Sequence, residues 1–146
     1  MTAIVLETPT YDMHEEGITY CWENATASVI GQAAKPGNIT TGYPEGCGCD
    51  VATANTDFPV GVVASVASQY EGVKLLNEGI VPAIAGGAIA VGDLVIPTTS
   101  GHFIKKAPTA VPFAAVYWIW GRAESAATTG NLFSLRFQPM NILQHA

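Results

Sequence analysis

Charge is scarce in this 146-residue chain: only 12% of its residues are Asp, Glu, Lys or Arg, against roughly 25% in an ordinary soluble domain. Hydrophobic residues make up 49%, enough for a sizeable core, but little charged surface is left to keep small monomers apart. A solitary, freely soluble subunit is therefore not expected. Long apolar runs are missing too. Val60 to Val66 and Ala114 to Trp120 fall far short of the roughly 18 to 20 residues of a membrane-spanning helix, so no membrane partner is expected. Residues Met1 to Glu7 carry no basic region and meet an acid before any adequate apolar stretch. That argues against a secretory signal and for a product that stays in the cytoplasm where it is made.

Clustered base is equally sparse. Lys105-Lys106 is the one adjacent basic pair, and residues 1–73 hold nine acids and only Lys35, a net charge of −8, while residues 74–146 hold three acids and five bases, a net of +2. Backbone neutralisation of DNA or RNA needs a basic patch, so nucleic acid is not an expected partner. Cys21, Cys47 and Cys49 are an odd, small set and do not read as a disulfide framework. Cys47-Gly48-Cys49 offers two ligands where a structural zinc needs four, so no metal site is assigned.

The inventory for catalysis is short. A nucleophilic Ser or Cys needs a positioned base, and of the three histidines, His14 lies beside Glu15-Glu16, His102 in a Ser100-Gly101 turn and His145 next to the C-terminus. Glu15-Glu16, the adjacent acid pair, would point to opposite sides if extended. Gly46-Cys47-Gly48-Cys49-Asp50 matches neither a dinucleotide nor a P-loop pattern. No catalytic residue and no cofactor are assigned, and the chain is not expected to be an enzyme.

What the sequence does have is 15 Gly and 9 Pro, which cut it into short segments. Strand-like stretches are Ile18–Trp22, Ala25–Ile30, Val60–Ser68, Val73–Leu76, Gly79–Ala83, Leu94–Pro97, Phe103–Ala107, Ala114–Ala123 and Leu132–Phe137. Residues 33–57, rich in Gly, Pro, Thr and Asn, read as loops flanking at most short strands. No amphipathic stretch of three turns survives, and the one short helix allowed is a turn near Ala85–Ala90. The fold class is all-β: a small β-sandwich or partly closed barrel, a single domain over residues 18–146, preceded by an extended arm, residues 1–17. The arm's Ile4, Val5, Leu6, Tyr11 and Met13 are costly to leave in water and are its docking candidates.

Val116-Tyr117-Trp118-Ile119-Trp120 has bulky apolar groups on both faces of a strand. Alternation sends Val116, Trp118 and Trp120 one way and Tyr117 and Ile119 the other. Either the strand is central to a closed barrel, or its second face meets another layer or subunit; Tyr117, Trp118 and Trp120 are the candidates for a subunit interface. A faint internal similarity also runs through the chain. Gly61-Val62-Val63-Ala64-Ser65-Val66-Ala67 leads to Gly72-Val73-Lys74-Leu75-Leu76, and Gly121-Arg122-Ala123-Glu124-Ser125-Ala126-Ala127 leads to Gly130-Asn131-Leu132-Phe133-Ser134-Leu135, with spacings that differ by two residues when the second glycines are matched.

The stretch Ala88-Ile89-Ala90-Val91-Gly92-Asp93-Leu94-Val95, then Ser100-Gly101-His102-Phe103-Ile104-Lys105-Lys106-Ala107, then Gly121 to Ala126 and Gly130 to Leu135, resembles the capsid decoration, or cement, proteins of tailed bacteriophages. The resemblance covers residues 80–137. It implies a small β domain on the outer surface of an icosahedral head, a homotrimer bound to the major capsid protein, and no catalytic residues. On that view Ile4, Val5, Leu6, Tyr11 and Met13 are capsid-contact candidates. A different use of the same residues also stands: a β-sandwich binding module for carbohydrate or a host surface, with Tyr117, Trp118 and Trp120 as an exposed stacking platform.

Overall fold

The computed structural model describes residues 18–37, 47–106 and 116–143. Ten strands run through them: β1 (Ile18–Trp22), β2 (Ala33–Pro36), β3 (Gly48–Val51), β4 (Gly61–Val63), β5 (Gly72–Leu76), β6 (Gly79–Ile84), β7 (Leu94–Pro97), β8 (Phe103–Lys105), β9 (Val116–Ala123) and β10 (Leu132–Leu143). The fold is all-β, and among the described residues the one helical element is a 3-10 turn at Thr99–Gly101. Strands β1-β3-β2-β4-β5 form a closed barrel, and β6-β10-β9-β7-β8 form a second sheet. A parallel bridge between Ala85 and Phe103 ties the two edges of that second sheet together. The arm, residues 1–17, lies outside the described residues.

Two expectations are corrected. Ala25–Ile30 is not a strand: the Asn24 side chain accepts from Thr26 N, and Gln32 Oε1 accepts from Val29 N at 2.8 Å, folding the segment into turns. Ala85–Ala90 is not helical, because its amides are drawn to other segments. Ala85 N donates to Asn131 O, Gly86 N to Phe103 O and Ile89 N to Ala127 O, so no local helical bond can form.

The two halves are copies of one unit. Strands β1 to β5 correspond in order to β6 to β10, and both sets have the same neighbours: β1 pairs with β3 in parallel as β6 bridges to β8, and β1 pairs with β5 as β6 pairs with β10. The registers coincide. Ala34 faces Gly61 as Val95 faces Gly121, and Cys21 faces Gly72 as Ile84 faces Leu132. Loop hydrogen bonds repeat as well: Lys74 N donates to Ser65 Oγ as Ser134 N donates to Ser125 Oγ, and Val29 N to Gln32 Oε1 as Ala90 N to Asp93 Oδ2. Ala64 N–Lys74 O and Glu124 N–Ser134 O are both 2.8 Å. The segment from Gly61 to Leu76 therefore matches Gly121 to Arg136 without a gap. Matching Gly72 to Gly130 had put the sequences two residues out of step; the residue that Gly130 replaces is Tyr70.

Packing couples the copies. The first barrel is filled by Trp22, Ala34, Cys49, Ala67, Val63, Val73 and Leu75. Their counterparts Ala85, Val95, Phe103, Ala123, Phe133 and Leu135 fill the second unit, with Trp120 and Phe137 added. Large and small residues have changed places, Trp22 for Ala85 and Cys49 for Phe103, which moves the bulk from one strand to another. Ala33, Val62 and Leu76 alternate with the barrel's inward residues and so point outwards, and they join the second unit's cluster. The outer wall of the first unit thus closes the core of the second.

Strand β9 changes face at Gly121, where its partner β10 carries a bulge between Phe137 and Met140. A Cβ at Gly121 would be driven into the carbonyl oxygen of Arg136, whereas one at Gly130 would meet open space. Gly121→Ala should therefore destabilise by about 3 kcal/mol or more through backbone displacement. Gly130→Ala should lose only about 1–2 kcal/mol, from its left-handed backbone. Urea denaturation of the two variants checks the order.

Candidate interaction surface

The sequence candidates fall in different places. Ile4, Val5, Leu6, Tyr11 and Met13 lie outside the described residues. On β9 the alternation is as read: Trp118 and Trp120 pack on the shared core, and Tyr117 turns away, under the Lys106 ammonium 5.6 Å from its ring centre. Trp120 is fully enclosed by its own subunit, with Phe103 and Phe137 edge-on at 5.7 and 6.0 Å. Among the described residues its indole N–H has no acceptor, and edge-on rings surround it. Tyr117 is buried as well. Neither ring offers a face to sugar or to another subunit, which removes the three-ring platform. Trp118 is half-buried and meets Phe58, itself exposed, edge-on at 5.1 Å.

Exposed apolar side chains gather in two other regions. One is the outer wall of the second unit. Across it run Ile80, Arg136, Arg122 and Leu94 in register, with Leu132 further along β10. Ile80, Leu94 and Leu132 are 43%, 42% and 54% exposed. Ile80, Pro82, Ser125, Leu132 and Ser134 line an open groove of about 350 Å³. Beside it, Glu124 Oε2 accepts from Arg136 Nε at 2.7 Å and from Arg122 at 3.2 Å. These two guanidiniums, Arg136 first, hold the Glu124 carboxyl below its usual range. One carboxylate against two guanidiniums leaves the wall positive.

The second region is the turn between β4 and β5. Val66 is 70% exposed and Tyr70 55%, with Glu71 next to it. Tyr70 adopts a φ of 66°, a left-handed conformation unusual for a bulky side chain. Neither region was picked out in the sequence, because an exposed Leu or Val has no signature until its neighbours are known.

The three cysteines come together where β1 and β3 run in parallel: Cys21 lies opposite Gly48 and Trp22 opposite Cys49, and Cys47, just before β3, accepts through its carbonyl oxygen from Cys21 N at 2.7 Å. They form no disulfide. Among the described residues no group of three or more His, Cys, Asp or Glu is placed to hold a metal ion. Burial, and then the nearby Glu23, push the Cys49 thiol up to about 12 from 9.0, so at neutral pH it is protonated and a poor nucleophile.

No family model and no curated protein matches this sequence. Among solved structures, the chain is similar to the head fiber gp8.5 N base in bacteriophage phi29, with a TM-score of 0.62 and 18% identity over 84% of this chain and 92% of that one. At that identity the likeness is one of fold, and it takes in both copies of the repeated unit.

The Cys49 shift fixes a pH dependence. The folded chain keeps a proton that the unfolded chain gives up above about 9, so this contribution is whole below pH 9.0 and is lost as pH rises towards about 12. In urea titrations across that window Cys49→Val should lose less stability than the parent. In native protein a thiol reagent should spare buried Cys49 and react first at the half-exposed Cys47.

Proposed function

We propose that this chain is a structural protein of a bacteriophage virion that attaches to the outside of the head and stabilises it as a decoration protein. The observation that carries this is the fold shared along nearly its whole length with a phage head fiber base. The resemblance of residues 80–137 to capsid cement proteins supports it from a different direction, since it lies in sequence motifs rather than in shape. A protein of this kind works through area and symmetry. Many weak contacts, repeated on a lattice and multiplied by oligomerisation, replace a single deep site.

In this proposal the chain assembles as a homotrimer made in the host cytoplasm and has the major capsid protein as its partner. It needs neither cofactor nor metal and performs no catalysis. Residues 1–17 reach across a neighbouring capsomer, with Ile4, Val5, Leu6, Tyr11 and Met13 as the contacts. The low charge of the chain suits this use, because unpaired charge at a large contact is expensive to desolvate.

Purified heads lacking the protein test the proposal directly. The full chain should bind them saturably, and deletion of residues 2–17 should weaken binding by at least about tenfold, as expected for the loss of several apolar anchors. Unchanged affinity after the deletion would defeat the arm's role. Failure of the full chain to bind any such head would defeat the head-attachment proposal itself.

A further inference from the structure

The outer wall of the second copy has a covered counterpart in the same chain. Leu94, Arg122 and Arg136 occupy the positions of Ala33, Val62 and Leu76, the wall through which the first copy packs on the second. In tandem proteins an outermost wall is commonly made polar, which stops further stacking. Arg122 and Arg136 fit that description. Ile80, Leu94 and Leu132 around them, each more than 40% exposed, do not. Ile80, Pro82 and Leu132 frame the open groove, and beside it two guanidiniums share the one carboxylate of Glu124. The surface is apolar at its rim and positive at its centre.

Charge narrows what can cover it. Among the described residues the second copy has Lys105, Lys106, Arg122 and Arg136 against Asp93 and Glu124, a net of +2, and the first has Glu23, Asp50, Asp57, Glu71 and Glu78 against Lys35 and Lys74, a net of −3. Two such walls laid face to face would set guanidinium against guanidinium, which is unfavourable. Residues 1–17 have the opposite character. Glu7, Asp12, Glu15 and Glu16 are accompanied by no Lys or Arg, and among them stand Ile4, Val5, Leu6, Tyr11 and Met13. The first copy repels such a segment and the second attracts it.

Position agrees with charge. Ile18, the first residue of β1, pairs with Leu75 of antiparallel β5, so the chain enters β1 at the end of the barrel where β5 passes through Asn77 and Glu78 into β6. Gly79 and Ile80, which open β6, lie opposite Phe137 and Arg136. That entry point is a short step from the edge of the wall. From Ile80 across β10 and β9 to Leu94 is roughly 14 Å at the usual spacing of strands, and seventeen extended residues reach up to roughly 60 Å.

We infer that in the free protein residues 1–17 lie across the wall of their own chain, with their apolar side chains on Ile80, Leu94 and Leu132 and their acids at Arg122 and Arg136. Tethering favours the arm of the same chain over that of another copy, since a short linker gives an effective concentration of about a millimolar or more. The wall keeps Ile4, Val5, Leu6, Tyr11 and Met13 out of water until a head is met. That last step rests on the proposed function, in which the same side chains contact a capsomer; the seat itself does not.

Chymotryptic cleavage of the full chain at Leu6 and Tyr11, followed by mass spectrometry, reads whether the arm is seated, because cleavage follows the fraction of time the segment is undocked. Arg122→Glu, at a side chain already 52% exposed, should speed cleavage by about tenfold, and adding Glu15→Lys and Glu16→Lys should return it to the parent rate. High salt should speed cleavage of the parent. Deletion of residues 2–17 should raise fluorescence of the dye ANS, which reports uncovered apolar surface, with near-UV circular dichroism unchanged. Leu94→Asp in the full chain should speed cleavage as Arg122→Glu does, and it serves where the shortened chain fails to fold. A parent cut as fast as Arg122→Glu, or a charge exchange that restores nothing, overturns the inference. Protection that grows with protein concentration also overturns it, because the arm is then held by another copy. No heads enter these measurements: a chain that protects its arm but binds no head removes the virion role alone, and one that binds heads with its arm freely cleaved beforehand removes the seat alone.

Discussion

Everything else in this structure depends on the burial of one wall. Ala33, Val62 and Leu76 face outwards from a barrel that is already closed and filled, and they complete the core of the neighbouring unit. Two alanine-sized or β-branched residues and one leucine keep the wall flat enough for close approach, and each belongs to a strand whose other face is also apolar. The second sheet needs that cover. Its edges meet only through the Ala85–Phe103 bridge among the described residues, and it holds Phe103, Phe133, Leu135 and Trp120, rings and side chains too large to leave in water. The first unit therefore keeps a core of its own and also contributes a wall to the core of the second.

Duplication explains the composition that first marked the chain as unusual. A unit that packs on its own copy has three apolar surfaces to provide, an interior, a wall and a receiving face, and few positions are left for charge. Divergence between the copies then shows where each position is used. At the wall, Val62 and Leu76 of the first copy correspond to Arg122 and Arg136 of the second, whose wall is not covered by another unit among the described residues. Inside, Trp22 and Cys49 correspond to Ala85 and Phe103, an exchange that moves the bulk from one strand to another. At the turn, Tyr70 at φ 66° stands where the second copy has Gly130 at φ 88°.

Legibility in the sequence followed the strength of local signals. β1, β5, β6, β7 and the central parts of β9 and β10 lie where runs of β-branched and large apolar residues place them, and the alternation at 117–120 put Trp118 and Trp120 on one face of the strand, but which face met the core was decided by packing. Strands β2 and β3 were hidden, since Ala33-Ala34-Lys35-Pro36 and Gly48-Cys49-Asp50-Val51 have weak β preference and are held by their neighbours in the barrel. Ala25–Ile30 misled for the opposite reason: its apolar residues are turn residues, captured by the Asn24 and Gln32 side chains. The repeat was visible only as a trace, because the positions that match most closely in the backbone, such as Ser65 with Ser125, are scattered among residues exchanged for packing.

By itself the sequence determined the all-β class, the strand periodicity and the uneven charge of the two halves, because each of these is a sum over local preferences or a count. Tertiary structure alone decided which apolar side chains the subunit hides and which it shows. Trp120 and Tyr117 went inside, while Val66, Tyr70, Leu94 and Leu132 were left at the surface. Burial is a property of what lies opposite a residue in space, and the residues opposite were brought there by pairing between strands distant in the chain and by the contact between two copies of one unit.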